Sequence, residues 1–571
     1  MDFRVFDRAR RQVGPLQLDL VESYAQGKVS RREFVRRGTV IGLSLPFISA
    51  IISACGSDDG GTSGTTGTGG GDTTAAGTDT TAAGSGTAGG TIKIAAQKPV
   101  SVDPVAMQDL GGYGLVAQVF EFLVTLGENG EIAPGLAASW EPNEDGSVWT
   151  FNLQPDVKWQ DGTDFTSEAV AATMDRLVEA GQSGLKGVIT AGAVDSSDPT
   201  KAVFTLTGPN GNFPYLVSVF NAQTPITPVD YAIGTTLDQN SNGTGPWKLV
   251  DYNPSTGARF ERNDTWWGGQ TLLDSTEFQF FDEIGTMVTA MQGGAVDAIV
   301  QFQVIGGDAL LNSPDFTVLE VESSTHRQIW MRCDTGQFAD KAVRQALAFT
   351  FDREQMVETL FRGRASVGND HVIAPFMEGY DDTVPQREKD IEKAKQLLAD
   401  AGVTNLTATL HATAAFQEIP ELAQLIKSGA EEAGINLEIA LESLDTFYGA
   451  QWCPAEPPDP PCSGAAELGI VDYGHRPTPD VFLNAALFTN GVWNSSQYSS
   501  PELDAAFKEY QAAVGVDAHQ AANKKIETIL NEDVPVGLPY FYNYLSGNST
   551  NFQGVRVSAL GQMFLEKASQ V

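Results

Sequence analysis

From Gly56 to Gly90 the chain consists almost wholly of Gly, Thr, Ala, Ser and Asp, with no aromatic residue and no aliphatic side chain larger than Ala. Such a tract has no apolar surface to bury and cannot offset the entropy of ordering, so it reads as a flexible tether. At about 5–6 Å × √n for chains of this kind, its reach is on the order of 30–35 Å. The fold must therefore be built from residues 91–571, enough for two to four domains and a large core.

What precedes the tether reads as an address. Residues 38–54 (GTVIGLSLPFISAIISA) are about as long as a signal-peptide core, follow Arg31, Arg32, Arg36 and Arg37, and end in small residues before Cys55. The stretch SRREFVR resembles a twin-arginine export motif centred on Arg31 and Arg32, the alternative being an ordinary basic flank. Ile52-Ser53-Ala54-Cys55 resembles a bacterial lipobox, which implies cleavage after residue 54, a lipidated Cys55 and a membrane-held protein. An uncleaved single-span anchor is the competing reading, although the run is short for spanning. Both place residues 91–571 outside the cytoplasm, with 1–54 as signal and 55–90 as linker.

Charge narrows the partners. The chain has 36 Lys and Arg against 72 Asp and Glu, and nine of the basic residues fall within the first 54. So acidic a surface repels phosphate backbones, and nucleic acid is not an expected partner. A mean hydropathy of -0.15, with no long apolar run beyond the linker, argues against a polytopic membrane protein.

Within the body the periodicities change along the chain. Thr91 opens a strand, and Gly114–Leu126 carries apolar residues at helical spacing. Residues 147–153 (SVWTFNL) alternate with period two after the turn signal Asp145-Gly146, and 201–207 repeat the pattern. Between them Thr166–Ala180 reads as a helix with Thr166 as N-cap and Gly181 at its C-terminal end. Farther on, Asp390–Ala401 reads as a helix ended by Gly402. Thr407–His411, Glu421–Ala433 and Ile435–Leu441 read as one βαβ unit, and Glu502–Ala513 and Ala518–Asn531 as amphipathic helices. The expected fold class is α/β, with a β-rich part in the first half.

Several segments in fixed order resemble the family-5 extracellular solute-binding proteins of ABC importers, which include dipeptide, oligopeptide and nickel binders. They are residues 140–170 (WEPNEDGSVWTFNLQPDVKWQDGTDFTSEAV), 244–247 (TGPW), 262–267 (RNDTWW), 294–297 (GAVD), 342–353 (AVRQALAFTFDR), 392–402, 493–504 (WNSSQYSSPELD) and 534–540 (VPVGLPY). The resemblance covers essentially all of 91–571. It implies the two-lobed fold of periplasmic binding proteins, type II and of the large form, with an inserted β-rich subdomain at about 121–242. Lobe I would run over 91–330, lobe II over 331–540, and 541–571 would return to lobe I, with crossing strands near Gln328–Arg332 and Tyr540–Asn543. The implied function is capture of a small solute, a peptide, sugar or organic anion, and its delivery to an ABC permease by a hinge motion, with no cofactor and no resident metal.

Peptide-binding members resemble one another in an aromatic residue followed three positions later by an Asp that pairs with the peptide ammonium. In the corresponding stretch, 471–482 (VDYGHRPTPDVF), counting from Tyr473 puts Arg476 there, and counting back from Phe482 puts His475 there. Neither is a carboxylate, so a free peptide N-terminus would need Asp472 or Asp480 instead. Arg476 otherwise suits a carboxylate, phosphate or sugar hydroxyl. Further pocket candidates by analogy are Met107, Gln108, Asp109, Trp452, Tyr473, Trp493 and Asn494. In an oxidising compartment Cys453 and Cys462, which flank a Pro-rich loop, are expected to form a disulfide, and Cys333 to be buried and free.

Other classes fare less well. The five histidines show no His-Glu-x-x-His spacing and no Gly-x-Ser-x-Gly elbow occurs, so an enzyme is not expected. A nickel or nickel-chelate binder stays open through His475, and a non-transport surface receptor would need the same closing lobes.

Overall fold

The computed structural model describes residues 86–571, except 129, 182–183 and 456–458; the export signal, Arg31, Arg32, Cys55 and nearly all of the linker lie outside the described residues. Two seven-stranded sheets organise the chain. In the first, Thr91–Gln97 lies between two parallel partners, Ser275–Phe281 and Ala298–Phe302. A strand so placed is covered on both faces. Ile92, Ile94 and Ala96 join one core with Leu115, Val116 and Trp247, while Ala95 faces the opposite core with Met287 and Ile299. Antiparallel strands Gly257–Arg262 and Trp247–Asn253 extend one edge, and Tyr544–Ser549 and Phe316–Val321 the other.

The inserted subdomain is a four-stranded antiparallel sheet ordered Ala137–Pro142, Val148–Leu153, Lys201–Thr205, Val194–Asp195. Its first hairpin turns at Asp145-Gly146, where Asp145 accepts the Ser147 N–H at 3.0 Å and Gly146 takes a φ of 71° that a side chain would resist. Helix Ser167–Glu179 closes a core of Trp140, Trp149, Phe151, Phe204 and Phe213.

The second sheet is ordered Ala365–Val367, Tyr540–Tyr542, His326–Met331, Leu468–Tyr473, Leu406–Thr413, Ile435–Glu442, with Val536–Gly537 also paired to His326–Met331. Leu406–Thr413 and Ile435–Glu442 run parallel around helix Ile419–Glu432, which is the βαβ unit read from the sequence. Helix Ile391–Asp400 starts where Asp390 accepts the Lys393 N–H, and helices Pro501–Ala512 and Val516–Asp533 cover the outer side. The architecture is thus two α/β lobes with a β-rich insertion in the first. Among the described residues no helix is long and apolar enough to cross a membrane.

Two local expectations are corrected. The first helix is Leu110–Val119, not Gly114–Leu126: Asp109 caps it by accepting the Gly112 N–H at 2.9 Å, and the β-branched Val124-Thr125 pair with Ile132–Pro134 as a hairpin instead. The first crossing lies at 322–325, between strands Phe316–Val321 and His326–Met331, rather than at Gln328–Arg332. All six residues of His326–Met331 pair with Leu468–Tyr473, so the strand expected to link the lobes, and with it residues 326–330, belongs to the second sheet. The return crossing falls at Asn543, between Tyr540–Tyr542 and Tyr544–Ser549.

Candidate functional site

A cavity of about 1030 Å³ opens between the lobes and is lined from both of them and from both crossings. Lobe I supplies Gln108, Tyr113, Gln301, Gln303 and Phe220, the crossings supply Thr325 and Asn543, and lobe II supplies Glu418, His475, Arg476, Asn484, Trp493 and Tyr542. This volume and mixture of aromatic and amide side chains fit a small organic solute.

The loop after strand Leu468–Tyr473 is the best-fixed part of the wall. Ser324, in the first crossing, donates its N–H to His475 Nδ1 at 3.1 Å and its hydroxyl to the Arg476 carbonyl at 2.6 Å, and accepts the Arg476 N–H at 2.8 Å. The hinge and the binding loop are therefore one hydrogen-bonded unit. Arg476 donates from Nη1 to the His475 carbonyl at 2.7 Å, and the titratable group that mainly opposes the cost of burying it is the Tyr113 hydroxyl, not a carboxylate. Burial pushes the Tyr113 phenol above its ordinary range, with Arg476 opposing. The His475 imidazole is pushed down to about 3 by burial and by the neighbouring guanidinium, so it is neutral.

Among the described residues lining the cavity, Glu418 is the one carboxylate, and it is bonded to Arg327. That guanidinium is buried and stacked between Phe416 and Tyr542, 4.9 and 5.1 Å from the ring centres. The two acids considered as ammonium partners are elsewhere. Asp472 bonds the Tyr448 hydroxyl, and Asp480 accepts from Asn212 at 3.0 Å and from Tyr510 at 3.4 Å in a contact between the inserted subdomain and lobe II. Among the described residues no three His, Cys, Asp or Glu side chains gather as a metal-binding group.

Of the residues expected in the pocket, Gln108, His475, Arg476 and Trp493 line the cavity, and five do not. Met107 is fully buried in the lobe I core, and Asp109 is the helix cap described above. Trp452 packs edge-on to Tyr448, 5.3 Å between centres. Tyr473 is buried among His326, Phe482 and Trp493. Asn494 donates to the carbonyls of Phe488 and Tyr498 at 3.1 and 2.8 Å, which holds the Trp493 loop rather than a ligand. Cys453 and Cys462 are joined in a disulfide whose two sulfurs each lie 3.4 Å from the Val492 carbonyl oxygen, beside the Trp493 lip; Cys333 forms no disulfide, as expected, but is partly rather than fully buried.

Sequence reading missed Gln301, Gln303, Glu418 and Tyr113. Gln301 and Gln303 carried a signal: they are polar positions in an otherwise apolar stretch, AIVQFQV, at the end of a buried strand. Glu418 and Tyr113 carried none, because only the approach of the lobes brings them to the cleft.

The model of bacterial extracellular solute-binding proteins, family 5 (middle), matches residues 131–452. Heme-binding protein A of Haemophilus influenzae is 23% identical over 475 residues, 77% of this chain and 85% of that protein. The dipeptide-binding protein of Escherichia coli is 27% identical over 301 residues, 48% of this chain and 55% of that one. The crystal structure of the ABC transporter substrate binding protein CtaP from Listeria monocytogenes superposes with a TM-score of 0.75 at 18% identity, over 85% of this chain and 99% of the other. With the two lobes, the cavity between them and a family match over more than half its length, the chain belongs to the family-5 extracellular solute-binding proteins of ABC importers.

Proposed function

We propose that the protein is the solute-capturing component of an importer, tethered outside the cytoplasm through a lipid on Cys55 after export directed by Arg31 and Arg32, and that its cavity takes an organic anion, a carboxylate-bearing solute such as an N-blocked peptide or a small organic acid. Names of relatives range from heme to dipeptide, so the class is argued from the wall. The carrying observation is the charge of that wall: among the described lining residues its one carboxylate is neutralised by Arg327, while Arg476 enters the cleft without an acid and the exposed Lys186 adds a second positive charge. An ammonium placed there meets repulsion and no counter-ion, whereas a carboxylate meets a planar fork of donors. Residues proposed to touch the solute are Gln108, His475, Arg476 and Trp493 of the original candidates, with Tyr113, Gln301 and Gln303. Closure would present the occupied lobes to a membrane permease.

A ligand selective for the folded state raises the melting temperature. The full-length chain, purified in detergent, is screened against free dipeptides, N-acetylated dipeptides, dicarboxylates, oligosaccharides and nickel chelates. N-acetylated dipeptides or dicarboxylates should stabilise it, and Arg476→Ala should remove the effect; stabilisation by free-amine peptides alone, or by neutral sugars alone, overturns the anion reading. Lipidation is checked separately by metabolic labelling with a fatty acid, which Cys55→Ser should abolish.

A further inference from the structure

We infer that loop 208–214 of the inserted subdomain is the latch of the cleft: Gly211 and Asn212 bind lobe II when the lobes meet and release it when they part. The insertion, and not only the two crossings, then sets how long the cleft stays closed. This rests on the closing-lobe reading above and is independent of the charge of the solute. The insertion is joined to lobe I at both of its ends, so whatever it shares with lobe II is a non-covalent bridge across the cleft.

Asn212 is 4% exposed and donates from Nδ2 to Asp480 Oδ2 at 3.0 Å and to the Tyr510 hydroxyl at 2.7 Å, while Tyr510 itself reaches Asp480 at 3.4 Å. The amide nitrogen has two hydrogens, so these three groups close a cycle in which each proton has an acceptor. Next to it the Gly211 N–H donates to the Gln511 carbonyl at 3.1 Å. That carbonyl lies in the last turn of helix Pro501–Ala512, where no intrahelical donor is left for it. The approach is too close for any side chain: a Cβ on Gly211 would stand 1.8 Å from the Ala513 carbonyl oxygen and 3.0 Å from His519 Nε2. Gly211 does not adopt a positive φ, so lobe II, rather than the loop's own turn, requires the glycine. From its own side the loop is held ready, since the Asn210 carbonyl accepts the Trp149 indole N–H at 3.1 Å and Asn210 Oδ1 accepts the Asn212 N–H at 2.9 Å.

Two features make this contact a latch rather than a permanent joint. The core of the insertion, with Trp149, Phe151 and Phe213, and the lobe II core that contains Leu503, Phe507 and Tyr510 share no residue. Parting them therefore exposes chiefly hydrogen-bonding groups, which water satisfies. The contact also abuts the cavity: Tyr215 and Leu216, just after Asn212, line it, as do Thr478 and Val481 on either side of Asp480. A solute that touches these positions favours the same arrangement of lobes as the latch does, so each strengthens the other.

The test is amide hydrogen exchange at residue 211 of the full-length chain in detergent, read by mass spectrometry with fragmentation to single residues, with strand Val148–Leu153 as the reference inside the insertion. In the wild type the Gly211 amide should be protected, yet exchange faster than the strand, as local opening requires. Asn212→Asp is nearly isosteric and sets two carboxylates face to face; it should speed exchange at 211 at least about 10-fold and leave the strand unchanged. Adding Asp480→Asn reverses donor and acceptor and should bring the rate back to within about 3-fold of wild type. Gly211→Ala, a wedge against lobe II alone, should accelerate exchange as Asn212→Asp does. An unprotected Gly211 amide in the wild type overturns the latch, because the contact is then not held. An amide as slow as the strand and unmoved by either single variant overturns it too, as a permanent joint. Equal rates in Asn212→Asp and in the double variant remove Asn212 and Asp480 from the role. Should Asn212→Asp loosen the strand as well, Gly211→Ala decides, and no acceleration there overturns the inference. No solute is added, so failure of the anion reading leaves these outcomes as they are.

Discussion

Two arginines border the same cleft and are treated in opposite ways. Arg327, on the strand that leaves the first crossing, is buried with its acid Glu418 and held between two aromatic rings. Arg476, on the loop tied to that crossing, is held through its backbone, while its guanidinium reaches the cavity with Tyr113 and no carboxylate. The first is internally neutralised and can only shape the wall; the second carries charge that a solute can use. Residue type therefore does not distinguish scaffold from binding group, and the neighbouring acid does.

The largest expected effect comes from breaking the neutralised pair. Glu418→Gln leaves a guanidinium that is 2% exposed without its counter-charge, and chemical denaturation should show a loss of about 3–5 kcal/mol. The double replacement Arg327→Met with Glu418→Leu should recover most of that loss, because two buried ions are then replaced by packing. A single variant as stable as the parent would mean that the pair is not what holds Arg327.

A buried acid without a cation sharpens the contrast. Among the described residues Glu527 accepts the Asp381 N–H alone, at 3.2 Å, and its other oxygen has no partner. Burial pushes its carboxyl up to about 8, with Asp381 and Asp382 adding to the shift and Lys524 opposing it. The native state then holds this proton more tightly than the unfolded chain does, so the group's effect on stability is most favourable at low pH and falls as pH rises from about 4.5 towards 8. Between pH 5 and pH 8 the wild type should lose about 3 kcal/mol relative to Glu527→Gln. Parallel pH profiles for the two proteins would refute this.

How much of this was readable beforehand follows from the same logic of neighbours. The βαβ unit over 406–442 was legible because Gly402 and Gly434, both at positive φ, punctuate strong periodicities between contacts close in sequence. The pairing of Thr91–Gln97 with Ser275–Phe281 was not, since nothing local announces a partner 184 residues away. Nor was the crossing at 322–325, because residues 326–331 (HRQIWM) extend equally well into either sheet and the register with Leu468–Tyr473 decides. In the site, the motif loop could be located by its resemblance and its missing aspartate by counting. Tyr473 and Trp493 are both aromatic neighbours of the loop, yet only Trp493 reaches the cavity, because strand 468–473 is covered on both faces. Which aromatic becomes pocket is a property of the assembled core.

Removing Arg476 should reverse the pattern seen at Arg327. Arg476→Ala should leave the denaturation midpoint within about 0.5 kcal/mol of wild type, or raise it, since an unpaired and partly desolvated charge is deleted. Its affinity for N-acetyl-dialanine or succinate, measured by calorimetry, should fall about 10–100-fold, the usual worth of a hydrogen bond to a charged group. A large loss of stability with unchanged affinity would make Arg476 scaffold after all.

The smallest effect belongs to a third arginine, which shows that pairing alone does not create stability. Arg362, at the end of helix Arg353–Phe361 in lobe II, is bonded to Asp308 of lobe I, but the two side chains are 50% and 52% exposed. In water their attraction is screened and ordering two flexible chains opposes it, so Asp308→Asn should change stability by less than about 0.5 kcal/mol, and less still at high salt. Because this pair spans the lobes and both groups stay hydrated when the cleft opens, the same substitution should alter solute affinity less than 2-fold by the same reasoning. A larger change in affinity with unaltered stability would place the pair among the contacts that favour closure, and would show that an exposed bridge acts on the opening of the cleft where it does nothing for the fold.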